Sequence, residues 1–315
     1  MMNEIAVKLR HWDHILVLSH VSPDGDTLGS AAALLRGLRQ LGKTVSFCCG
    51  DPVPAKYAYL FEGLEFSAFE PEHIVAVDAA TLQLLGEPGR VYEGKIDLAV
   101  DHHVSHAPFA RQDYVDASCA ANCEIIYQLL RAMSVAIDQT IAGALYTGIS
   151  TDTGCFRYRN VTPQTHRIAA EMMELGADSG TINQIMFETK TREQLEAEMT
   201  AVGSIEYTLG GKCAVIAVTR EMMEKTGVSD EDLDPIVARP RQIAGVLIGA
   251  TLKEKKDGFK ISVRTNEPAN ASAICQKLGG GGHKAAGGCF VKGDLAVAKA
   301  AFLAACEEYA RETGL

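Results

Sequence analysis

Short apolar runs alternate with segments of helical periodicity through the first half of the chain. Strands are predicted at residues 15–18, 44–48, 73–77 and 96–100. Between the first two, apolar residues recur every three or four positions, which predicts a helix that Thr27 caps and Gly42 ends. Because strands and helices alternate in this way, the sequence predicts an α/β protein whose N-terminal domain contains a doubly wound, mostly parallel sheet.

The remainder of this first domain is less regular. Helices are predicted at residues 118–133, 140–149 and 162–176, and a short strand is predicted at residues 156–159. The third of these helices begins with Thr162 and Pro163, a pair that is typical of helix starts.

Charged residues become frequent from residue 189, which indicates a connecting helix before a second region. Strands are predicted there at residues 213–218, 245–252 and 259–263, and helices at residues 269–278 and 294–311. A charged turn joins the last two strands, so we expect an antiparallel hairpin. The predicted organisation is a first domain over residues 1–188, a helical linker over 189–203, and a smaller C-terminal α/β domain with a mixed sheet over 204–315.

Composition limits the class of protein. Of the 315 residues, 47% are hydrophobic and 22% charged, as in globular proteins. No apolar run is long enough to span a membrane and no signal peptide is recognisable, so we expect a cytoplasmic protein without a membrane partner, with its nine cysteines reduced. The formal net charge of −10 argues against binding long duplex nucleic acid, although not against small phosphorylated substrates.

Acidic and imidazole side chains follow several predicted elements. They are His20, Asp24 and Asp26 after the first strand, Asp78 after the third, Asp101, His102 and His103 after the fourth, and Asp152 after the helix at 140–149. Open α/β sheets bind ligands at the carboxyl ends of their strands, so we expect these side chains to converge.

Ionised carboxylates that share one pocket repel one another strongly unless cations neutralise them. Carboxylates combined with imidazole favour Mn²⁺ or another transition ion. A pair of such cations can deprotonate a water molecule for attack on a phosphoester. For each single aspartate the alternative is a cap or turn residue, since Asp is common in turns. The occurrence of the whole set at the ends of buried elements favours the metal site.

The order and spacing of these residues resemble the four signature motifs of the DHH phosphoesterases. The motifs are His20-x-x-x-Asp24-x-Asp26, Asp78, Asp101-His102-His103 and Asp152-Thr153-Gly154. The resemblance implies two Mn²⁺ ions per chain, with Mg²⁺ or Co²⁺ as alternatives. One ion would be held by His20, Asp24 and Asp78, and the other by Asp26, Asp78, His102 and Asp152. The resemblance also implies that Asp101 orients a histidine and that His103 faces the substrate.

A glycine run followed by His283 is similar to the motif of the C-terminal domain that accompanies this family. Without side chains, Gly280, Gly281 and Gly282 can present amides to an anion, and His283 adds a donor. Arg264, at the end of a predicted strand, can bind a phosphate through two parallel hydrogen bonds. A flexible linker is the alternative, but small apolar residues and a strand follow the run.

The combination of these two domains alone resembles family members that act on very short RNA. The resemblance implies an exonuclease for oligoribonucleotides of about two to five nucleotides (nanoRNA) that is also a phosphatase for 3′-phosphoadenosine 5′-phosphate (pAp). One alternative is a phosphodiesterase for linear or cyclic dinucleotides, pApA or c-di-AMP. Another is a nucleotide sensor without catalysis. The direction of cleavage and the formation of a homodimer are left open.

Other candidates follow no motif. Five histidines are expected at the surface or at helix ends: His11, His14, His73, His106 and His166. Arg157 and Arg159 lie just beyond the turn that contains Asp152, where contact with substrate and exposure to solvent are equally compatible with the pattern.

Overall fold

The computed structural model of the protein describes residues 1–229 and 231–315. These residues form two compact units, Met1–Thr189 and Lys190–Leu315. None of the helices in the described ranges is both long and apolar enough to cross a membrane.

The first unit is built on a five-stranded parallel sheet. Its strands are β1 (Ile15–Ser19), β2 (Val45–Cys49), β3 (His73–Val77), β4 (Leu98–Asp101) and β5 (Gln112–Val115). Its helices are α1 (Met2–His11), α2 (Gly25–Gln40), α3 (Gly86–Val91), α4 (Asn122–Ala132), α5 (Gln139–Asp152), α6 (Pro163–Glu174) and α7 (Ser179–Asn183). The strand order β2-β1-β3-β4-β5 changes direction between β1 and β3. The doubly wound α/β fold predicted from the sequence is therefore confirmed.

Burial on both faces of the sheet explains the continuous apolar runs. All five residues of β1 are buried. Ile15 and Val17 belong to a large cluster with α1, α2, α4 and α5, whereas Leu16 and Leu18 belong to a second cluster on the opposite face. Successive side chains of a strand point to opposite faces of the sheet. When both faces are covered, every position of the strand is buried, so its sequence is continuously apolar instead of alternating between apolar and polar residues.

Helices α2 and α5 pack closely in the large cluster. A Cβ atom added to Gly29 of α2 would lie 2.5 Å from the carbonyl oxygen of Ala144 on α5. This approach places the start of α2, with Asp24 and Asp26, beside the end of α5, where Asp152 lies. The helix crossing therefore contributes to the arrangement of the acidic residues.

We expect Gly29→Ala to destabilise the protein by about 1–3 kcal/mol, because the added methyl group would force the two backbones apart. The free energy of unfolding in urea measures this effect. Gly143→Ala on α5 is the matched control, since no atom lies within 4 Å of the added Cβ. A helix gains stability of up to about 1 kcal/mol from such a change. Similar effects of the two substitutions would contradict this explanation.

The second unit contains a six-stranded mixed sheet. Its strands are β6 (Glu206–Thr208), β7 (Cys213–Val218), β8 (Ile248–Lys255), β9 (Gly258–Thr265), β10 (Gly281–Gly282) and β11 (Ala286–Lys292). Its helices are α8 (Arg192–Gly203), α9 (Arg220–Thr226), α10 (Ala271–Gln276) and α11 (Leu295–Thr313). The strand order is β10-β11-β9-β8-β7-β6, and only the β7–β8 pair is parallel. The predicted hairpin is present as β8 and β9.

Helices cover the two faces of this sheet unequally. Helices α10 and α11 pack on one face in a core that includes Ile261 and Phe302. Helices α8 and α9 cover the β7 end of the other face, where Ala197 and Ala201 are buried. Helix α8 lies within the stretch predicted as a linker, and in the structure it packs as part of the second unit.

Two local predictions were wrong. Thr27 does not cap α2, because Asp24 is the N-cap and accepts hydrogen bonds from the amides of Asp26 and Thr27. Residues 156–159 form a turn instead of a strand. Cys155 and Phe156 both have positive φ, at 58° and 60°, which no strand allows. Helix α1 and the short edge strand β5 were not predicted.

Candidate active site

Side chains from five elements of the first unit meet at the carboxyl edge of its sheet. His20 follows β1, Asp78 follows β3, and His102 follows β4. The Nε2 atom of His20 lies 3.8 Å from Asp24 Oδ1 and 3.7 Å from Asp78 Oδ2. The sequence-predicted residues of the first metal position therefore lie together.

The second group lies on the other side of Asp78. His102 Nε2 is 3.6 Å from Asp26 Oδ2, 3.5 Å from Asp78 Oδ1 and 3.7 Å from Asp152 Oδ2. Donor atoms of Asp26, His102 and Asp152 all lie within 4.8 Å of one another, and so do those of His20, Asp24 and Asp78. The two oxygens of Asp78 thus face different groups, as a bridging ligand requires.

The tautomers of both histidines fit a metal site. The Nδ1 atom of His20 lies 2.8 Å from the Val21 carbonyl oxygen, and that of His102 lies 3.2 Å from the Cys119 carbonyl oxygen. A carbonyl oxygen only accepts, so each Nδ1 carries a proton and each Nε2 is the nitrogen that faces the carboxylates. Burial lowers the pKa of His20, but its hydrogen bonds with Asp24 and Asp78 raise that pKa to about 11. A divalent cation could take the place of the proton that these groups share.

The environment of the carboxylates also favours a cation at this site. Asp78 Oδ1 is buried and has no hydrogen-bond partner among the residues that the structure describes, an arrangement that is costly without a cation. Burial, followed by the charge of Asp24, raises the pKa of Asp26 to about 6. Burial and the charge of Asp26 raise the pKa of Asp152 to about 7. Divalent cations would remove this repulsion, so the donor set fits them.

The start of α4 fixes Asp26. Its Oδ2 accepts a 2.6 Å hydrogen bond from the Asn122 amide, and its Oδ1 accepts a 2.9 Å bond from the Cys123 amide. These free amides at a helix N-terminus hold a buried carboxylate in one orientation. Asp26 is 1% exposed and is therefore ordered before any ligand binds.

A chain of hydrogen bonds extends from His103 into the protein. The Nδ1 atom of His103 lies 2.7 Å from Asp101 Oδ1, and the Nδ1 atom of His106 lies 2.7 Å from Asp101 Oδ2. His106 Nε2 lies 3.0 Å from Asp113 Oδ1. The bond to Asp101 raises the pKa of His103 to about 9. Asp101 is fully buried and holds His103 in place, while the His103 side chain is 39% exposed.

The expectation that His106 lies at the surface or at a helix end was wrong, since its side chain is only 4% exposed. Its partner Asp113 belongs to β5, the edge strand that the sequence pattern did not predict. The structure therefore adds His106 and Asp113 to the residues that support the site.

We expect His106→Ala to lower kcat by about 10–100-fold with little change in KM, because Asp101 loses one of the two groups that orient it. Steady-state kinetics on the preferred substrate measures this split. His73→Ala is the matched control, since His73 lies 3.6 Å from Asp97 in the same sheet and outside the site. Equal losses in both variants would indicate a general effect on folding.

The remaining predicted residues lie together in the second unit. Gly281 and Gly282 form β10, which pairs with β11, and Arg264 of β9 pairs with Ala286 of β11. A Cβ atom at Gly282 would lie 2.5 Å from the Ala286 carbonyl oxygen, whereas one at Gly281 would meet nothing within 4 Å. Gly282 therefore serves the close pairing of strands, and Gly281 leaves space for a ligand.

The glycine run is not an open nest of amides. The Gly280 amide donates to the Cys275 carbonyl oxygen at 2.9 Å, and the His283 amide donates to that of Ala286 at 2.7 Å. The His283 side chain lies on an exposed turn. An anion at this position would therefore be held mainly by side chains, with Gly281 leaving the space for it, because the amides of Gly280 and His283 already donate to carbonyl oxygens.

The fold and the acidic cluster define a two-domain α/β protein in which acidic and histidine side chains that could hold a metal ion meet at the edge of a parallel sheet. Residues 14–149 match the DHH family, N-terminal domain, and residues 210–312 match the DHHA1 domain. Over 290 residues the chain is 32% identical to the bifunctional oligoribonuclease and PAP phosphatase NrnA of Thermus thermophilus, covering 89% of this chain and 84% of that protein. The chain belongs to the DHH family of phosphoesterases.

Solved structures agree with this assignment at the level of the fold. An exopolyphosphatase-related protein from Bacteroides fragilis matches with a TM-score of 0.90 and 24% identity, covering 98% of this chain and 96% of that one. The exonuclease RecJ bound to manganese matches with a TM-score of 0.57 and 17% identity, covering 98% and 94%. Both units are therefore found together in other proteins.

Proposed function

We propose that this protein is a metal-dependent phosphoesterase that hydrolyses short oligoribonucleotides and pAp. The observation that carries the proposal is the meeting of His20, Asp24, Asp26, Asp78, His102 and Asp152 at one edge of the sheet. The relative from Thermus thermophilus is named as an oligoribonuclease and PAP phosphatase, which supports the proposed substrates. Two Mn²⁺ ions are the proposed cofactors, with Mg²⁺ or Co²⁺ as alternatives, since the donors combine carboxylates with imidazoles.

The residues of the chain divide the work at this site. His20, Asp24 and Asp78 would hold one ion, and Asp26, Asp78, His102 and Asp152 the other. Bound there, divalent cations supply positive charge that lowers the pKa of a water molecule and stabilises the charge developing on the phosphoryl group. Because His20 and His102 use Nδ1 to bond backbone carbonyls, each ring is fixed with Nε2 toward the carboxylates with which it would hold a cation.

His103 has a different role in this proposal. Asp101 fixes its Nδ1–H, so the ring has one orientation and its partly exposed side chain can contact the substrate phosphate or the leaving oxygen. Asp101 is then a positioning residue, because it acts through His103.

We further propose that Arg264, His283 and the glycine run Gly280–Gly282 hold a terminal phosphate of the substrate. Arg264 on β9 and Gly281 on β10 lie on the two strands that flank β11 and pair with it. A phosphate anchor separate from the metal site favours short substrates, because catalysis requires both ends of the substrate to be engaged.

A substrate panel tests this function. We expect turnover of pAp and of RNAs of about two to five nucleotides with Mn²⁺, and none after thorough chelation. The panel also contains pApA, c-di-AMP and pyrophosphate, each assayed with Mn²⁺, Mg²⁺ and Co²⁺. Faster hydrolysis of pyrophosphate or c-di-AMP than of any short RNA or pAp would overturn the substrate assignment, and activity that survives chelation would overturn the metal site.

A further inference from the structure

We propose that the side chain of Asn160 is a positioning residue for one of the two proposed cation positions. That position, the second cation position, is the one assigned to Asp26, Asp78, His102 and Asp152. The inference rests on the proposed function, because it concerns how the protein builds the metal site of that function. It adds a residue that lies outside the four sequence motifs.

Asn160 joins two backbone segments of the first unit that are distant in sequence. Its Nδ2 atom donates to the carbonyl oxygen of Ala120 at 2.9 Å and to that of Asp152 at 3.2 Å. Both partners are carbonyl oxygens, which only accept, so the amide nitrogen of Asn160 and not its amide oxygen faces them. One amide group carries two donor hydrogens, so a single side chain can hold both segments at a fixed separation.

One of these segments is the end of α5. Asp152 is the last residue of that helix, and the final carbonyl groups of a helix have no partner within it. The bond from Asn160 gives the Asp152 carbonyl such a partner. Because the carbonyl and the carboxylate belong to one residue, fixing the backbone restricts where the carboxylate can lie.

The other segment, residues 119–123, supports two more ligands of the second cation position. The Cys119 carbonyl oxygen lies 3.2 Å from Nδ1 of His102, and two amides at the start of α4 donate to Asp26 at 2.6 Å and 2.9 Å. The bond at Ala120 therefore connects the support of these two ligands to the end of α5, which carries a third.

An unusual turn brings Asn160 back to the end of α5. Three successive residues after this helix, Gly154, Cys155 and Phe156, have positive φ values of 57°, 58° and 60°. Such a backbone is unfavourable for residues other than glycine and persists only where the surrounding structure requires it. The Thr153 carbonyl oxygen closes the turn, since it accepts hydrogen bonds of 3.0 Å from the amides four and five residues further on. The chain is thereby reversed, and Asn160 reaches back over the helix end.

The first cation position depends on other supports. Nδ1 of His20 bonds to the Val21 carbonyl oxygen, and Asp24 accepts from amides at the start of α2. Loss of the Asn160 amide should therefore weaken cation binding at the second position and leave the first unchanged. A purely structural role would instead lower the stability of the fold without distinguishing the two positions.

Binding of Mn²⁺ to the full chain tests this assignment without turnover. Electron paramagnetic resonance detects unbound Mn²⁺, so a titration counts the ions bound per chain and gives a Kd for each. The variants are Asn160→Ala and Asn160→Leu, since Leu has nearly the shape of Asn and no donor. We expect two ions in the wild type and, in both variants, one unchanged ion and one bound about ten-fold more weakly. Turnover of pAp that is lost in the variants should return as Mn²⁺ is raised.

Asn183→Leu is the matched control. The Asn183 side chain also bonds to α5, where it accepts from Ser150 at 2.6 Å and donates to Tyr146 at 3.1 Å, but both partners are side chains. This variant should lower the free energy of unfolding in urea and keep both Mn²⁺ affinities. The same selective loss of one ion in Asn183→Leu would overturn the inference.

Three further results would also overturn it: wild-type affinity for both ions in the Asn160 variants, an equal loss at both positions, or a turnover deficit that excess Mn²⁺ does not remove. A wild type that binds two Mn²⁺ ions but hydrolyses neither RNA nor pAp rejects the proposed substrates alone, and the binding curves still decide the role of Asn160. A wild type that binds fewer than two ions rejects the two-cation site and this inference together.

Discussion

Replacing Asp78 by alanine is expected to lower turnover of pAp and of short RNAs by about 10³-fold or more. Asp78 is 2% exposed and lies between the two groups of donors, with Oδ2 3.7 Å from His20 and Oδ1 3.5 Å from His102. Its loss removes a ligand from both proposed cation positions and leaves the developing phosphoryl charge without its main stabilisation. Steady-state kinetics with saturating Mn²⁺ measures the effect.

A second measurement separates loss of metal from loss of structure. Ligands that bind only the folded state raise its melting temperature, so Mn²⁺ should stabilise the wild type but not Asp78→Ala. Asp97→Ala is the matched control, because Asp97 is another largely buried aspartate, hydrogen-bonded to the Ile74 amide at 3.0 Å and to Arg111 at 2.6 Å. It should lose stability and keep turnover. A wild type without turnover, whose nucleotide affinity survives Asp78→Ala, would instead be a sensor.

The site residues that could be predicted are those that follow a strong periodic pattern. Asp78 comes directly after an apolar run, and a buried parallel strand must deliver the next residue to the carboxyl edge of the sheet. His20 and His102 follow strands of the same kind. The local apolar pattern indicates buried parallel strands, and the carboxyl ends of such strands lie at the same edge of a sheet. The convergence of these side chains could therefore be predicted from local sequence alone.

His106 and Asp113 could not be found in this way. Asp113 lies on β5, a four-residue edge strand in which no residue is fully buried, so it has no apolar pattern to mark it. The hydrogen bond between His106 and Asp113 depends on the path of the loop that connects β4 to β5. The pattern of apolar and polar residues does not predict the path of a loop.

The cap of α2 shows a different kind of failure. Thr27 and Asp24 are both good N-cap residues, and the sequence offers no means of choosing between them. In the structure Asp24 caps the helix with Oδ1, and the same carboxylate faces His20. The sequence analysis gave a helix cap and a metal ligand as alternative roles for each aspartate. In the structure, the position of Asp24 is compatible with both roles at once.

His103→Gln is the other substitution with a large expected effect. We expect kcat to fall by about 10²–10⁴-fold, the range typical of a group that transfers a proton or stabilises the reacting atoms. The orienting bond from Asp101 marks His103 as such a group, at 2.7 Å from a fully buried carboxylate. Metal binding should be retained, so the rise in melting temperature caused by Mn²⁺ should match that of the wild type.

His102→Gln provides the decisive comparison, because donor atoms of His102, His103 and Asp78 also lie within 4.8 Å of one another. By geometry alone, either histidine could be a ligand. The hydrogen bonds distinguish them, since His102 uses Nδ1 on a backbone carbonyl and presents Nε2 to three carboxylates, whereas His103 directs Nδ1 to Asp101. We therefore expect His102→Gln to lose both the Mn²⁺ stabilisation and turnover, and His103→Gln to lose turnover alone. If His103→Gln also loses the stabilisation, His103 is a metal ligand and its proposed contact with substrate is wrong.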